Sequence, residues 1–137
     1  MSRVQLALNV SDLDAAIAFY SKLFATEPAK RRPGYANFAI ANPPLKLVLL
    51  EQANAPDRLN HLGIEVASSE EVAEASDRLQ QQALATTTEA QTTCCYAVQD
   101  KVWVTDPDGA DWEVYVVLED AAEFGASAKA GTSACCA

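Results

Sequence analysis

The sequence predicts an α+β fold in which two βαβββ modules form one curved mixed sheet that encloses a trough. Three observations carry that expectation. Strand-like and helix-like periodicities follow one another as strand, helix and three further strands, and then do so again. An offset of 56 residues lays Asn60-His61-Leu62-Gly63-Ile64-Glu65-Val66 onto Val4-Gln5-Leu6-Ala7-Leu8-Asn9-Val10, so that Gln5 falls on His61. And 137 residues, 50% of them hydrophobic, fill one compact domain and leave no room for a second of ordinary size.

Each element has its own signature. Val4, Leu6, Leu8 and Val10 alternate with Gln5, Ala7 and Asn9, the pattern of a half-buried strand. Ser11 offers a cap, and Leu13, Ile17, Tyr20 and Phe24 recur at helical spacing, which predicts a helix over 12–24. Extended segments follow at about 27–31, 35–41 and 45–51, punctuated by Pro33-Gly34 and Pro43-Pro44. The second module begins with the strand at Asn60–Val66. Ser68 and Glu71 then form a capping box, and Val72, Ala75 and Leu79 give the helix that follows its apolar stripe to about Gln82. Strands are expected at 86–90, 97–105 and 111–118, the last two joined by the turn Asp106-Pro107-Asp108-Gly109. Residues 1–119 thus read as one domain, with modules at about 2–52 and 58–119. Residues 120–137, rich in Ala, Gly, Ser and Thr, read as a flexible tail ending in Cys135-Cys136-Ala137.

Ten basic against nineteen acidic residues give a net charge of −9 without a basic block, which argues against nucleic acid and anionic membrane surfaces as partners. No apolar stretch approaches the roughly 18 residues of a membrane span, and no long apolar leader opens the chain, so a cytoplasmic protein is expected. The four cysteines come as two adjacent pairs, Cys94-Cys95 and Cys135-Cys136. Adjacent cysteines bonded to each other would close a strained small ring, and reduced thiols are expected instead.

The chemistry lies on the face of the sheet that the helices leave open. Gln5, Ala7 and Asn9 share that face with His61, Gly63 and Glu65 and, on the last strand, with Glu113, Tyr115 and Val117. Gln5, His61 and Glu113 are each metal-capable, and together would make an amide version of the facial triad that leaves positions open on Fe(II). Aligning Leu45-Lys46-Leu47-Val48 with Trp112-Glu113-Val114-Tyr115 puts Lys46 at the fourth symmetric position, where a protonated amine cannot ligate. By residue type alone, His61 also reads as an ordinary hydrogen-bonding histidine, and Glu113 as a solvent-facing glutamate of an edge strand. Their equivalent places in the repeat favour the site.

Cys94-Cys95 sits in a segment that is neither alternating nor helical and reads as a loop. Irregular backbone would let two thiolates converge as a soft donor pair for As(III) or Cd(II), whereas in a regular strand they would point to opposite faces. Small buried cysteines also pack as plain hydrophobes. Cys135-Cys136 is open between delivering a soft ligand and forming an exposed pair without a catalytic part. Lys101, Trp103 and Tyr115 would line the trough, with no catalytic role assigned to them.

The paired repeat with Gln5, His61 and Glu113 at its metal positions resembles the vicinal oxygen chelate superfamily of glyoxalases, bleomycin-resistance proteins and extradiol dioxygenases. Within it, Arg3-Val4-Gln5-Leu6-Ala7-Leu8-Asn9-Val10, Pro33-Gly34-Tyr35-Ala36-Asn37-Phe38-Ala39-Ile40, Pro44-Leu45-Lys46-Leu47-Val48-Leu49, Asn60-His61-Leu62-Gly63 and the segment from Cys94 to Val104 are similar to the bacterial carbon–arsenic lyases and cadmium-induced proteins. The likeness covers nearly all of 2–118. It implies an Fe(II)-dependent dioxygenase that cleaves the carbon–arsenic bond of trivalent organoarsenicals, such as methylarsenite or reduced aromatic arsenicals, and releases arsenite. It implies that Gln5, His61 and Glu113 hold iron, that dioxygen is co-substrate, and that Cys94 and Cys95 bind the arsenic. The alternative within the same fold is a cadmium- or arsenic-sequestering protein without redox chemistry. A glyoxalase-like isomerase is a further rival, against which the dithiol and Lys46 both speak.

Overall fold

The computed structural model describes residues 2–125. The elements run β1 (Arg3–Val10), α1 (Leu13–Phe24), β2 (Lys30–Arg32), β3 (Tyr35–Ile40) and β4 (Leu45–Glu51), then β5 (Leu59–Glu65), α2 (Ser69–Gln81), β6 (Thr87–Cys94), β7 (Ala97–Thr105) and β8 (Asp111–Asp120). All eight strands join one mixed sheet in the order β2-β3-β4-β1-β5-β8-β7-β6. Within each module the first strand pairs in parallel with the last, β1 with β4 and β5 with β8, and an antiparallel β1–β5 seam joins the modules. The predicted double βαβββ trough is therefore present.

Each helix covers its own module. Leu13 and Ile17 of α1 pack on Phe38, Ile40, Leu47 and Leu49, while Val72 and Ala75 of α2 pack on Val102, Val114 and Val116. Sequestering these faces is the main favourable term, about 1.5–3 kcal/mol for each large apolar side chain taken fully from water. Ser68 caps α2 as expected, accepting from the Glu71 amide. The cap of α1 is Asp12, which accepts from the Ala15 amide, and not Ser11. Either residue has a suitable oxygen, and the backbone decides because Asp12 is the last extended residue before the helix.

Other boundaries move as well. The second strand lies at Lys30–Arg32 rather than 27–31, since it extends only as far as it can pair with Tyr35–Asn37. β6 runs on to Cys94, four residues past the expected 90, because the ladder to β7 resumes after an irregularity between Glu89 and Thr92. β8 reaches Asp120. No helix among the described residues is long and apolar enough to cross a membrane.

The concave face is closed over. The β6–β7 turn folds into it, so Cys94, Cys95 and Trp103 pack with Ala7, Tyr35, Val48 and Leu50, and Tyr96 and Phe124 lie against them. Lys30 fastens this closure from the opposite edge of the sheet, donating to the Tyr96 carbonyl at 3.0 Å and pairing with Asp120 at 2.8 Å.

Candidate metal centre

Gln5, His61 and Glu113 converge at the β1–β5–β8 seam. The register sets Gln5 opposite Gly63 and Gly63 opposite Glu113, while Ala7 faces His61, so the three side chains rise around two positions that have almost none of their own. A Cβ built on Gly63 would lie 3.0 Å from Glu113 Cγ and 3.1 Å from Gln5 Nε2, so glycine is what admits both. His61 Nε2 is 2.5 Å from Glu113 Oε2, and Gln5 Nε2 is 3.1 Å from each of those atoms. All three residues are at most 4% exposed.

The donor set suits a divalent cation. Ligands at about 2.1 Å and at right angles stand about 3 Å apart, close to the spacing of Gln5 from its two neighbours. Among the described residues no three His, Cys, Asp or Glu side chains cluster, so a three-ligand set here needs the Gln5 amide. One imidazole, one carboxylate and one amide oxygen make a mixed N/O set suited to a first-row divalent metal.

The surroundings fix the Glu113 charge. Burial raises its pKa, but the Lys101 ammonium and His61 outweigh burial and hold the carboxyl down at about 2. Lys101 is fully buried and donates to Glu113 Oε1 at 2.9 Å, which leaves Oε2 facing His61. His61 Nδ1 is 2.8 Å from Asn60 Oδ1, and an Nδ1–H donated there would leave Nε2 to serve a bound cation. The Tyr115 hydroxyl lies 2.7 Å from Gln5 Oε1 and 3.1 Å from Glu65 Oε1. Glu65 is in turn paired with Arg3 at 3.2 Å and Lys46 at 3.5 Å. Burial raises the Glu65 pKa, and Lys46 and Arg3 together bring it below its ordinary value.

The soft pair stands in the same enclosed space. Cys95 and Tyr96 form the two-residue β6–β7 turn, with φ of 53° and 62°, a left-handed pair that hairpins usually build from Asn-Gly. This turn sets the Cys94 and Cys95 sulfurs 3.5 Å apart and buries both residues. Trp103 packs with them and places its ring edge-on to His61 at 5.4 Å, so the sulfurs and the seam share one wall. A cleft of about 240 Å³, lined by Arg3, Lys30, Lys46, Glu65 and Cys95 among others, opens beside them.

Four expectations change. Cys94 ends a strand rather than lying in a loop, and the left-handed turn begins at Cys95. Both sulfurs are disulfide-bonded rather than reduced, with no free cysteine among the described residues. At 3.5 Å they are too far apart to be bonded to each other, where a bond needs about 2.05 Å. Glu113 belongs to an interior strand and not to an edge. The fourth symmetric position carries Val48 and not Lys46: Val48 stands opposite Ala7 as Glu113 stands opposite Gly63. Lys46 lies two residues away, where burial lowers its pKa against the pull of Glu65. Cys135 and Cys136 fall outside the described residues.

Tyr115, Lys101 and Trp103 line the trough as expected. The role of Glu65 went unread, although its alternation with His61 and Gly63 had placed it on this face.

The sequence profile of the Glyoxalase/Bleomycin resistance protein/Dioxygenase superfamily matches residues 3–114. A trivalent organoarsenical cleaving enzyme of Thermomonospora curvata is 64% identical over 99% of this chain and 89% of its own. The cadmium-induced protein CadI of Mycobacterium tuberculosis is 65% identical over 91% of this chain and 82% of its own. In fold, the Mn(II)-bound glyoxalase from Novosphingobium aromaticivorans superposes with a TM-score of 0.61 at 19% identity, over 93% of this chain and 44% of that one.

Proposed function

Since the chain belongs to the Glyoxalase/Bleomycin resistance protein/Dioxygenase superfamily, we propose that it cleaves the carbon–arsenic bond of trivalent organoarsenicals and releases arsenite. The observation that carries this reading is the enclosure of two unlike donor sets in one trough. A hard N/O set of Gln5, His61 and Glu113 lies at the seam, and a pair of adjacent sulfurs packs against the same Trp103. Hydrolytic or isomerase chemistry has no use for the sulfurs. A trivalent arsenical is the small molecule that does.

Gln5, His61 and Glu113 would hold Fe(II), and the ion, with positions left open, supplies the activation of dioxygen as co-substrate. The rest is done by side chains. Cys94 and Cys95, once reduced, bind arsenic as thiolates and fix its carbon substituent toward the seam, so positioning supplies much of the rate. Lys101 keeps Glu113 anionic, Asn60 orients His61, and Tyr35, Val48, Leu50 and Trp103 keep water out.

The test is arsenite formation and oxygen uptake with methylarsenite, after anaerobic reduction of the protein and loading with Fe(II), beside controls lacking iron or oxygen. Arsenite is expected only with both. His61→Ala should abolish turnover and spare arsenical binding, whereas Cys94→Ser should weaken arsenical binding and spare metal. The 65% identity to a cadmium-induced protein favours sequestration as the second reading. Tight arsenical or Cd(II) binding without arsenite or oxygen uptake, at full iron occupancy, would establish that reading instead.

A further inference from the structure

We propose that Tyr115 and Glu65 set which end of the Gln5 amide faces the metal, making Tyr115 a positioning residue for the ligand set; this rests on the reading of Gln5 as a ligand. The two ends of the amide differ. Its oxygen accepts hydrogen bonds and can hold a cation, while its NH2 group only donates. The Nε2 end now points between His61 and Glu113, at 3.1 Å from each, and Oε1 points at the Tyr115 hydroxyl at 2.7 Å. In this arrangement an N–H occupies the place of a positive ion beside Glu113.

The far side of the phenol does not match that arrangement. Tyr115 has one hydroxyl proton and two acceptors in reach, Gln5 Oε1 at 2.7 Å and Glu65 Oε1 at 3.1 Å. Glu65 is a carboxylate gripped through both oxygens by Arg3 and approached by Lys46, and hydrogen bonds to an ionised acceptor are roughly twice as strong as those to a neutral one. The proton therefore goes to Glu65, and the phenol turns a lone pair toward Gln5. Two lone pairs then face each other at 2.7 Å. Tyr115 is 1% exposed and Gln5 4%, so water does not relieve the clash.

Half a turn of the Gln5 amide relieves it. Nε2 then donates to the phenol, and Oε1 faces His61 and Glu113, where a cation requires it. Gly63, without a side chain beside Nε2, leaves the room for this turn. One hydrogen-bonded chain then runs outward from Gln5 through Tyr115 to Glu65, where Arg3 donates to the carboxylate from the other side. The outer chain thus biases the amide toward the oxygen-inward arrangement.

Mn(II), a hard ion that thiolates bind poorly, is the probe. Its affinity is read from the EPR signal of the free ion for the wild type, His61→Ala, Tyr115→Phe and Glu65→Gln, together with the melting temperature of each metal-free protein. Tyr115→Phe should bind Mn(II) about 10- to 100-fold more weakly at a nearly unchanged metal-free melting temperature, the size of loss typical of a group that orients a ligand. Glu65→Gln should weaken binding in the same direction and reports the same chain should Tyr115→Phe fail to fold. Wild-type affinity in both variants, with binding lost in His61→Ala, would overturn the positioning role and leave the ligand set standing. No effect of His61→Ala would overturn the ligand set and this inference with it.

Discussion

The two modules share a fold and divide the work. On the helix side, the first module packs Phe38, Leu47 and Leu49 under α1, all at most 1% exposed, whereas the second packs Val102, Val114 and Val116 under a mostly polar α2. On the trough side the balance reverses. The first module contributes Tyr35, Val48 and Leu50 with the neutral Gln5 and Asn37, and the second contributes His61, Lys101 and Glu113, all at most 2% exposed. A repeat that puts Val48 where its partner puts Glu113 need not be a failed site. It can be the scaffold against which the other half holds charges that would otherwise be costly to bury.

Glu113→Ala should break the comparison most completely. It removes a proposed ligand and leaves Lys101 buried without its carboxylate, so metal binding should be lost and stability should fall by about 3–5 kcal/mol in denaturant melts. Phe38→Ala comes next. It should cost about 3–5 kcal/mol through the cavity alone, while Val102→Ala, at the matching depth of the second module, should cost about 2 kcal/mol. Metal affinity of the folded fraction should be unchanged in both, and a loss of affinity in Phe38→Ala would mean that the scaffold shapes the site.

The smallest effect concerns the ties between the modules, where Glu65 of the second meets Arg3 and Lys46 of the first. Its carboxyl titrates below the ordinary 4.5, so it adds stability that is present above that pH and is lost as the pH falls through the lowered value. Glu65→Gln should therefore be less stable than the wild type near neutral pH, and the two should converge on acidification below pH 4.5. Parallel stability curves across that range would remove the Glu65 pairs from the account.

Much of this was legible in the residues. Alternation, helical spacing and Pro/Gly punctuation are local signals, and they gave the element order and both helices. The repeat placed Gln5 and His61, and alternation put Glu113 on their face. What escaped was set by contacts distant in sequence. The parallel β1–β4 register, two residues from the assumed alignment, moved the fourth position from Lys46 to Val48, because register is decided by pairing and side-chain burial together. The reach of β6 to Cys94 depended on its partner β7. The pairing of Glu65 with Tyr115, Arg3 and Lys46 joins four strands, and no spacing rule encodes it.

Gln5 lies 108 positions before Glu113 and 110 before Tyr115. Contacts of such separation form late, because the loop they close must lose its entropy first. On a growing chain, Gln5 and His61 emerge early and wait, the β6–β7 hairpin with Cys94 and Cys95 follows, and Glu113 arrives last. In the order of synthesis Cys94 and Cys95 thus appear before Glu113 completes the proposed ligand set. A nascent chain halted between the two could take up a thiophilic ion yet would lack the apparatus to act on it.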